Sequence, residues 1–127
     1  MIHLDTHVLL WLSRGDFSQL SRGVRELLET DDVAISPMVE LELQILHEGK
    51  KAASPGDVVG GLRRDIGLVT DPAPLAAVVR EATDHRYAFA RDPFDRLIAA
   101  HAGVAGVRLL TKDRSLRNHL DFAVWPR

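Results

Sequence analysis

The chain has 127 residues, 46% hydrophobic and 27% charged, the balance of a soluble globular domain that buries about two thirds of its unfolded surface. It carries no cysteine, which excludes a disulfide framework and any thiolate metal site. With 18 acids against 16 bases the formal net charge is −2, so the charge total alone nominates no nucleic-acid partner.

Short β-like runs alternate with longer helical patterns. Ile2–Asp5 reads as a strand and Thr6–Ser13 as an apolar helix. Ser21–Glu29 reads as a helix with Ser21 as its N-cap and Val24, Leu27 and Leu28 on one face. Val33–Ser36 is the next strand, and Pro37 opens a third helix that stops at Gly49. Ser54-Pro55-Gly56-Asp57 starts a short helix ending near Arg64, followed by a third strand over Ile66–Thr70. Pro74–Thr83 and Pro93–Ala105 are two further helices joined by a polar connection. Val107–Thr111 is a fourth strand, Asp113 opens a short helix, and Phe122–Val124 is a fifth strand. Such alternation implies a parallel sheet covered on both faces, one three-layer α/β domain over residues 1–127. The start, Met1-Ile2-His3-Leu4-Asp5, has no basic leader, and no apolar run approaches the roughly 20 residues of a membrane span. A cytoplasmic protein without membrane contact is expected.

Several acids fall where an open parallel sheet binds ligands, beyond the carboxyl ends of its strands. Asp5 ends the first strand and Asp113 follows the fourth. Each also precedes a helix, so each is a candidate N-cap, and both roles stay open here. On the third helix, Glu40 and Glu42 are two positions apart and point to opposite sides. Glu42 shares its face with Met38, Val39, Ile45 and Leu46, the stripe expected to be buried, whereas Glu40 lies with Gln44 and His47 towards solvent. A carboxylate on an apolar face needs a compensating partner, either a cation or a buried arginine. Farther on, Pro93 makes Asp92 an N-cap and puts Asp95 at the third helical position. Asp95 sits with Ile98, Ala99 and Ala102 on a helix that is apolar almost all round, so it faces protein. Crowded carboxylates are tolerated when a hard cation neutralises them, and an all-oxygen set favours Mg2+ or Mn2+ over zinc. The chemistry reached this way is metal-dependent phosphodiester or phosphomonoester hydrolysis.

Four segments together, Leu4-Asp5-Thr6-His7 with Val8-Leu9-Leu10-Trp11, Ser36 with Glu42, Asp92-Pro93-Phe94-Asp95-Arg96, and Leu110-Thr111-Lys112-Asp113, resemble the PIN domain. More closely, they resemble the VapC toxins of type II toxin–antitoxin systems, in order and along essentially the whole chain. The resemblance implies a sheet of four to five strands in the order 3-2-1-4-5. It also implies a Mg2+-dependent endoribonuclease, with Mn2+ as a substitute, that is silenced by a cognate antitoxin and forms a homodimer. Residue by residue it assigns Asp5, Glu42, Asp95 and Asp113 to the acidic quartet, with Asp5, Asp95 and Asp113 towards the metal. Thr6 and Thr111 become hydroxyls directed at those acids or at substrate phosphate, and Asp92 either joins the site or only caps. Arg86, Arg91, Arg96, Lys112, Arg114 and Arg117 flank the motifs, and Arg96 and Arg114 are candidate phosphate contacts. Trp11, Leu12 and Phe17 are candidate antitoxin contacts. Leu41 before Glu42, and the longer stretch His85–Arg91, depart from the family's usual pattern. Two other readings remain. One is a phosphatase with Asp5 as nucleophile, although His7 stands where its second acid belongs; the other is a non-catalytic scaffold that binds RNA or protein.

Overall fold

Ile2, His3 and Leu4 are all buried, and they form β1 (Ile2–Leu4), the middle strand of the sheet. The computed structural model describes residues 1–127. After β1 come α1 (Thr6–Arg14), a 3-10 turn at Phe17–Gln19, α2 (Arg22–Thr30), β2 (Val33–Ile35) and α3 (Pro37–Glu48). Then follow α4 (Pro55–Ile66), β3 (Val69–Thr70), α5 (Leu75–Ala82) and a second 3-10 turn at His85–Tyr87. The chain closes with α6 (Pro93–Ala105), β4 (Arg108–Leu110), α7 (Arg114–His119) and β5 (Ala123–Val124).

The sheet runs β3-β2-β1-β4-β5, and every neighbouring pair is parallel. The expected order and layering are therefore observed. Residues of β1, β2 and the strand end at Leu109 and Leu110 are buried on both faces, as a helix-covered parallel sheet requires. One hydrophobic core of 26 buried residues joins sheet and helices.

Helix starts follow the capping chemistry in the sequence. The side chains of Ser21, Ser36 and Ser54 accept hydrogen bonds from Val24, Met38 and Asp57 N–H groups at the starts of α2, α3 and α4. Proline occupies the first turn of α3, α4 and α6, where its missing N–H is harmless.

Three local expectations are corrected. The third strand is only Val69–Thr70, because Ile66 still belongs to α4 and Gly67 leaves that helix in the left-handed conformation (φ 71°). On α3 the buried positions are Val39 and Leu43, while Ile45 is 48% exposed, so the inward stripe is narrower than the apolar pattern suggests. Glu40 is half-buried rather than solvated, and it accepts a hydrogen bond from Thr70 Oγ1 at 2.7 Å.

The stretch His85–Arg91 is a brace between α5 and α6. Tyr87 is fully buried and its hydroxyl donates to Glu81 Oε2 at 2.6 Å, while the Arg86 guanidinium pairs with the same carboxylate. A Cβ at Gly103 of α6 would stand 2.3 Å from the Tyr87 oxygen. Only glycine allows this approach.

Candidate active site

Parallel strands deliver their C-terminal residues to one edge, and the acids of the four motifs meet there. Asp5 follows β1 and is 3% exposed. Its Oδ1 accepts from the Thr6 N–H at 2.8 Å and so caps α1, while Oδ2 accepts from the Thr111 hydroxyl at 2.6 Å. Asp5 N–H in turn donates to the Leu110 carbonyl at 3.1 Å, which ties this acid to β4 through its backbone as well. Capping and site membership are compatible, because each uses a different oxygen.

Thr111 is fully buried and bonds in two directions. Its Oγ1 donates to Asp5 and accepts from the Asp113 N–H at 3.1 Å. Asp113 caps α7 by accepting from the Leu116 N–H at 3.0 Å. Thr6, also buried, donates its hydroxyl to Glu42 Oε1 across from α3. The two threonines therefore orient two of the acids. Burial pushes the Glu42 carboxyl up; the Thr6 hydroxyl opposes this, and the charges of Asp5 and Asp92 reinforce it.

Asp95 is the most perturbed of the set. Its carboxyl is pushed up to about 7, first by burial and then by the charges of Asp5, Asp92, Glu42 and Asp113. No hydrogen bond offsets these effects, which leaves a half-buried carboxyl surrounded by four acids without a donor. All these donors are oxygen, and their mutual repulsion is what a hard divalent cation relieves, so the residues fit magnesium or manganese. Asp92 stands at the rim. It is exposed, and its Oδ1 caps α6 by accepting from Phe94 N–H at 2.8 Å and Asp95 N–H at 3.1 Å.

The basic residues divide into occupied and free. Arg96 is half-buried and its Nε donates to the Ala82 carbonyl at 2.9 Å, so it braces α6 against α5 rather than reaching for phosphate or pairing with an acid. Arg117 bonds the Lys112 carbonyl at 3.1 Å, and Arg86 is held by Glu81. Lys112 lies over the Trp11 ring, its Nζ 5.6 Å from the centroid. Arg91 and Arg114 are exposed, and neither side chain is bonded to another residue.

His7 is a participant the residue-by-residue reading left without a role. Its Nε2 accepts from the Lys112 N–H at 3.2 Å, which fixes the proton on Nδ1, and Nδ1 lies 3.5 Å from Asp5 Oδ2. The available signal was its place one turn position after Thr6, on the helix that Asp5 caps. Of the candidate partner contacts, Trp11 packs edge-on against Trp125 with centroids 6.1 Å apart. Leu12 and Phe17 line an apolar groove with Leu20, Leu28 and Ile66.

Comparisons with known proteins show what the chain as a whole is similar to. The family model of the PIN domain matches residues 2–119. Ribonuclease VapC22 of Mycobacterium tuberculosis is 33% identical over 123 residues, an alignment covering 91% of this chain and 89% of that protein. Among solved structures, VapBC2 from Rickettsia felis, crystallised bound to a DNA fragment from its promoter, superposes with a TM-score of 0.67. That match covers 96% of both chains at 19% identity, and it supports the fold. No helix of the chain is long and apolar enough to cross a membrane.

Proposed function

This chain belongs to the PIN-domain family, in its VapC branch, and on that premise we propose that it is a Mg2+-dependent endoribonuclease, the toxin of a toxin–antitoxin pair. The observation that carries the reading is the state of Asp95: a half-buried carboxyl facing four other acids and no donor. Such an arrangement has no structural benefit of its own. It is useful when a cation completes it.

In this reading Asp5, Asp95 and Asp113 would hold the metal, with Glu42 contributed from α3. Bound magnesium would polarise the phosphodiester and lower the pKa of a coordinated water. The chain's own contributions follow from the bonds already described. Thr111 holds Asp5 Oδ2 and the Asp113 backbone in fixed relation, so two ligands arrive already positioned. Thr6 pins Glu42 Oε1 and leaves Oε2 to take a proton from the attacking water. Burial raises the affinity of Glu42 for that proton, the direction a general base at neutral pH requires. Arg91 and Arg114 bind phosphates on either side of the scissile bond. The partner is a VapB-like antitoxin, and the toxin pairs with a second copy as a homodimer.

The test is cleavage of single-stranded RNA by the purified protein. Cutting is expected with Mg2+ or Mn2+, to be abolished by EDTA, and to be absent from Asp5→Asn although that variant stays folded. Metal-independent binding without cutting would replace the enzyme by a scaffold. Release of inorganic phosphate from a small monoester would replace it by a phosphatase.

A further inference from the structure

A second convergence of ligand-type side chains lies apart from the acids. His3 on β1, Asp71 just beyond β3 and His101 on α6 each bring one donor atom into a group whose members are all within 4.8 Å of one another. The histidine side chains are 0% and 2% exposed and that of Asp71 is 20% exposed. His101 follows Asp95 by six residues on the same helix, about 9 Å along its axis, so the two sites are separate.

The bonding in this group is incomplete. His3 Nε2 and Asp71 Oδ2 are 2.7 Å apart, a hydrogen bond. His101 Nε2 is 3.8 Å from the same oxygen, too far to share it, and has no partner although it is buried. His3 Nδ1 is equally without a partner. The rings meet edge-on at 86° with centroids 4.8 Å apart, so they do not satisfy each other. Leaving a buried polar atom unpaired is costly, and a purely structural role for His101 would not incur that cost.

Two imidazoles and a carboxylate are the donor set of zinc-class cations, unlike the all-oxygen set at the sheet edge. Donors about 2.0–2.1 Å from a tetrahedral centre lie roughly 3.3 Å apart. The two separations from Asp71 Oδ2 are 2.7 Å and 3.8 Å, and all three donors lie within 4.8 Å, so a small side-chain closure completes the site. Access exists as well. A cavity of about 470 Å3, lined by Asp71, Pro72, Pro74, His101 and Val104, opens beside the group and has room for a water as fourth ligand.

We infer that His3, Asp71 and His101 form a second cation site, specific for Zn2+ or a similar borderline metal, that clamps α6 to β1 and to the exit of β3. Binding requires the His3 proton to move from Nε2 to Nδ1, which frees Nε2 and the Asp71 carboxylate for the cation, and it gives His101 Nε2 its missing partner.

The test uses the full chain carrying Asp5→Asn and Asp95→Asn, so that the sheet-edge acids no longer compete for metal and cleavage plays no part in the readout. Equilibrium dialysis against Zn2+ is expected to show one ion per chain, and Co2+ to give the visible absorption of a tetrahedral nitrogen–oxygen site. The thermal midpoint is expected to rise with Zn2+. Removing a ligand should weaken binding at least on the order of 10–100-fold, the effect of losing even an outer partner. His101→Gln and Asp71→Asn each supply that case, and Asp71 sits on a partly exposed loop, so its variant keeps the test decisive if the buried one misfolds. Absence of stoichiometric Zn2+ binding, or binding that survives both substitutions, overturns the site. Neither result touches the nuclease reading.

Discussion

Glu81 and Asp95 are both half-buried acids beside the same pair of helices, and their surroundings push them in opposite directions. Glu81 accepts from the Tyr87 hydroxyl and from Arg86, and these bonds hold its carboxyl below the usual range. Asp95 meets only burial and like charge, and its carboxyl is pushed up to about 7. The first region is complete in itself and braces the fold. The second is left without a donor, the condition that the proposed cation would relieve. Charge counted along the sequence treats the two alike; what separates them is the supply of donors.

The strongest way to sharpen that contrast is to neutralise the unpaired acid. Asp95→Asn is expected to lower RNA cleavage by about 10³-fold or more, equivalent to roughly 4 kcal/mol of barrier. In the metal-free protein it should at the same time raise the urea midpoint, because repulsion from four acids disappears. A loss of cleavage accompanied by a loss of stability would mean that Asp95 belongs to the brace rather than to a binding site.

Breaking the paired region should have the reverse signature. Gly103→Ala places a methyl 2.3 Å from the Tyr87 oxygen and 3.0 Å from Glu81 Oε2. The expected cost is about 1–3 kcal/mol of stability, with cleavage per folded molecule unchanged. Adding Tyr87→Phe removes the clashing atom, so the double variant should be more stable than the sum of the single changes implies. Strict additivity by chemical denaturation would show that the hydroxyl is not what Gly103 accommodates.

The smallest effect is in the pH dependence of the metal-free protein. Between about 4 and about 7 the folded chain keeps the Asp95 proton that the unfolded chain releases. Stability from this group therefore falls as pH rises through that window and levels off above it. After solvent screening at a half-buried position the loss is about 1–2 kcal/mol. Urea midpoints in EDTA across the window should show this slope, and Asp95→Asn or added Mg2+ should remove it. An identical slope in the variant would transfer the effect to other groups.

The sequence made the helix starts legible because capping is a local code. A serine, or Asp92 before Pro93, announces a helix within two or three residues. That Glu42 and Glu40 leave α3 towards different partners was legible for an equally local reason, the helical angle between them, although both are half-buried. What escaped was what depends on distant partners. Arg96 bonds a backbone carbonyl 14 residues away, which leaves no trace in side-chain pattern. The shortness of β3 follows from a left-handed Gly67 between two apolar residues that fit a strand equally well. His3 meets Asp71 across 68 residues, and no spacing rule joins them.

Thr111 bonds Asp5 across 106 positions of chain, and the strand that presents it, β4, lines up Leu110 beside Leu4. A chain leaves the ribosome N-terminus first, synthesised at roughly 5–20 residues per second. Until the segment around residues 108–113 has been made, Asp5 lacks the hydroxyl that orients it, and the central strand lacks one neighbour. The proposed activity thus arises only after β4 and Thr111 have been made. If the chain cuts RNA as proposed, that order of assembly keeps it inactive towards the RNA of the ribosome until the central strand has both its neighbours.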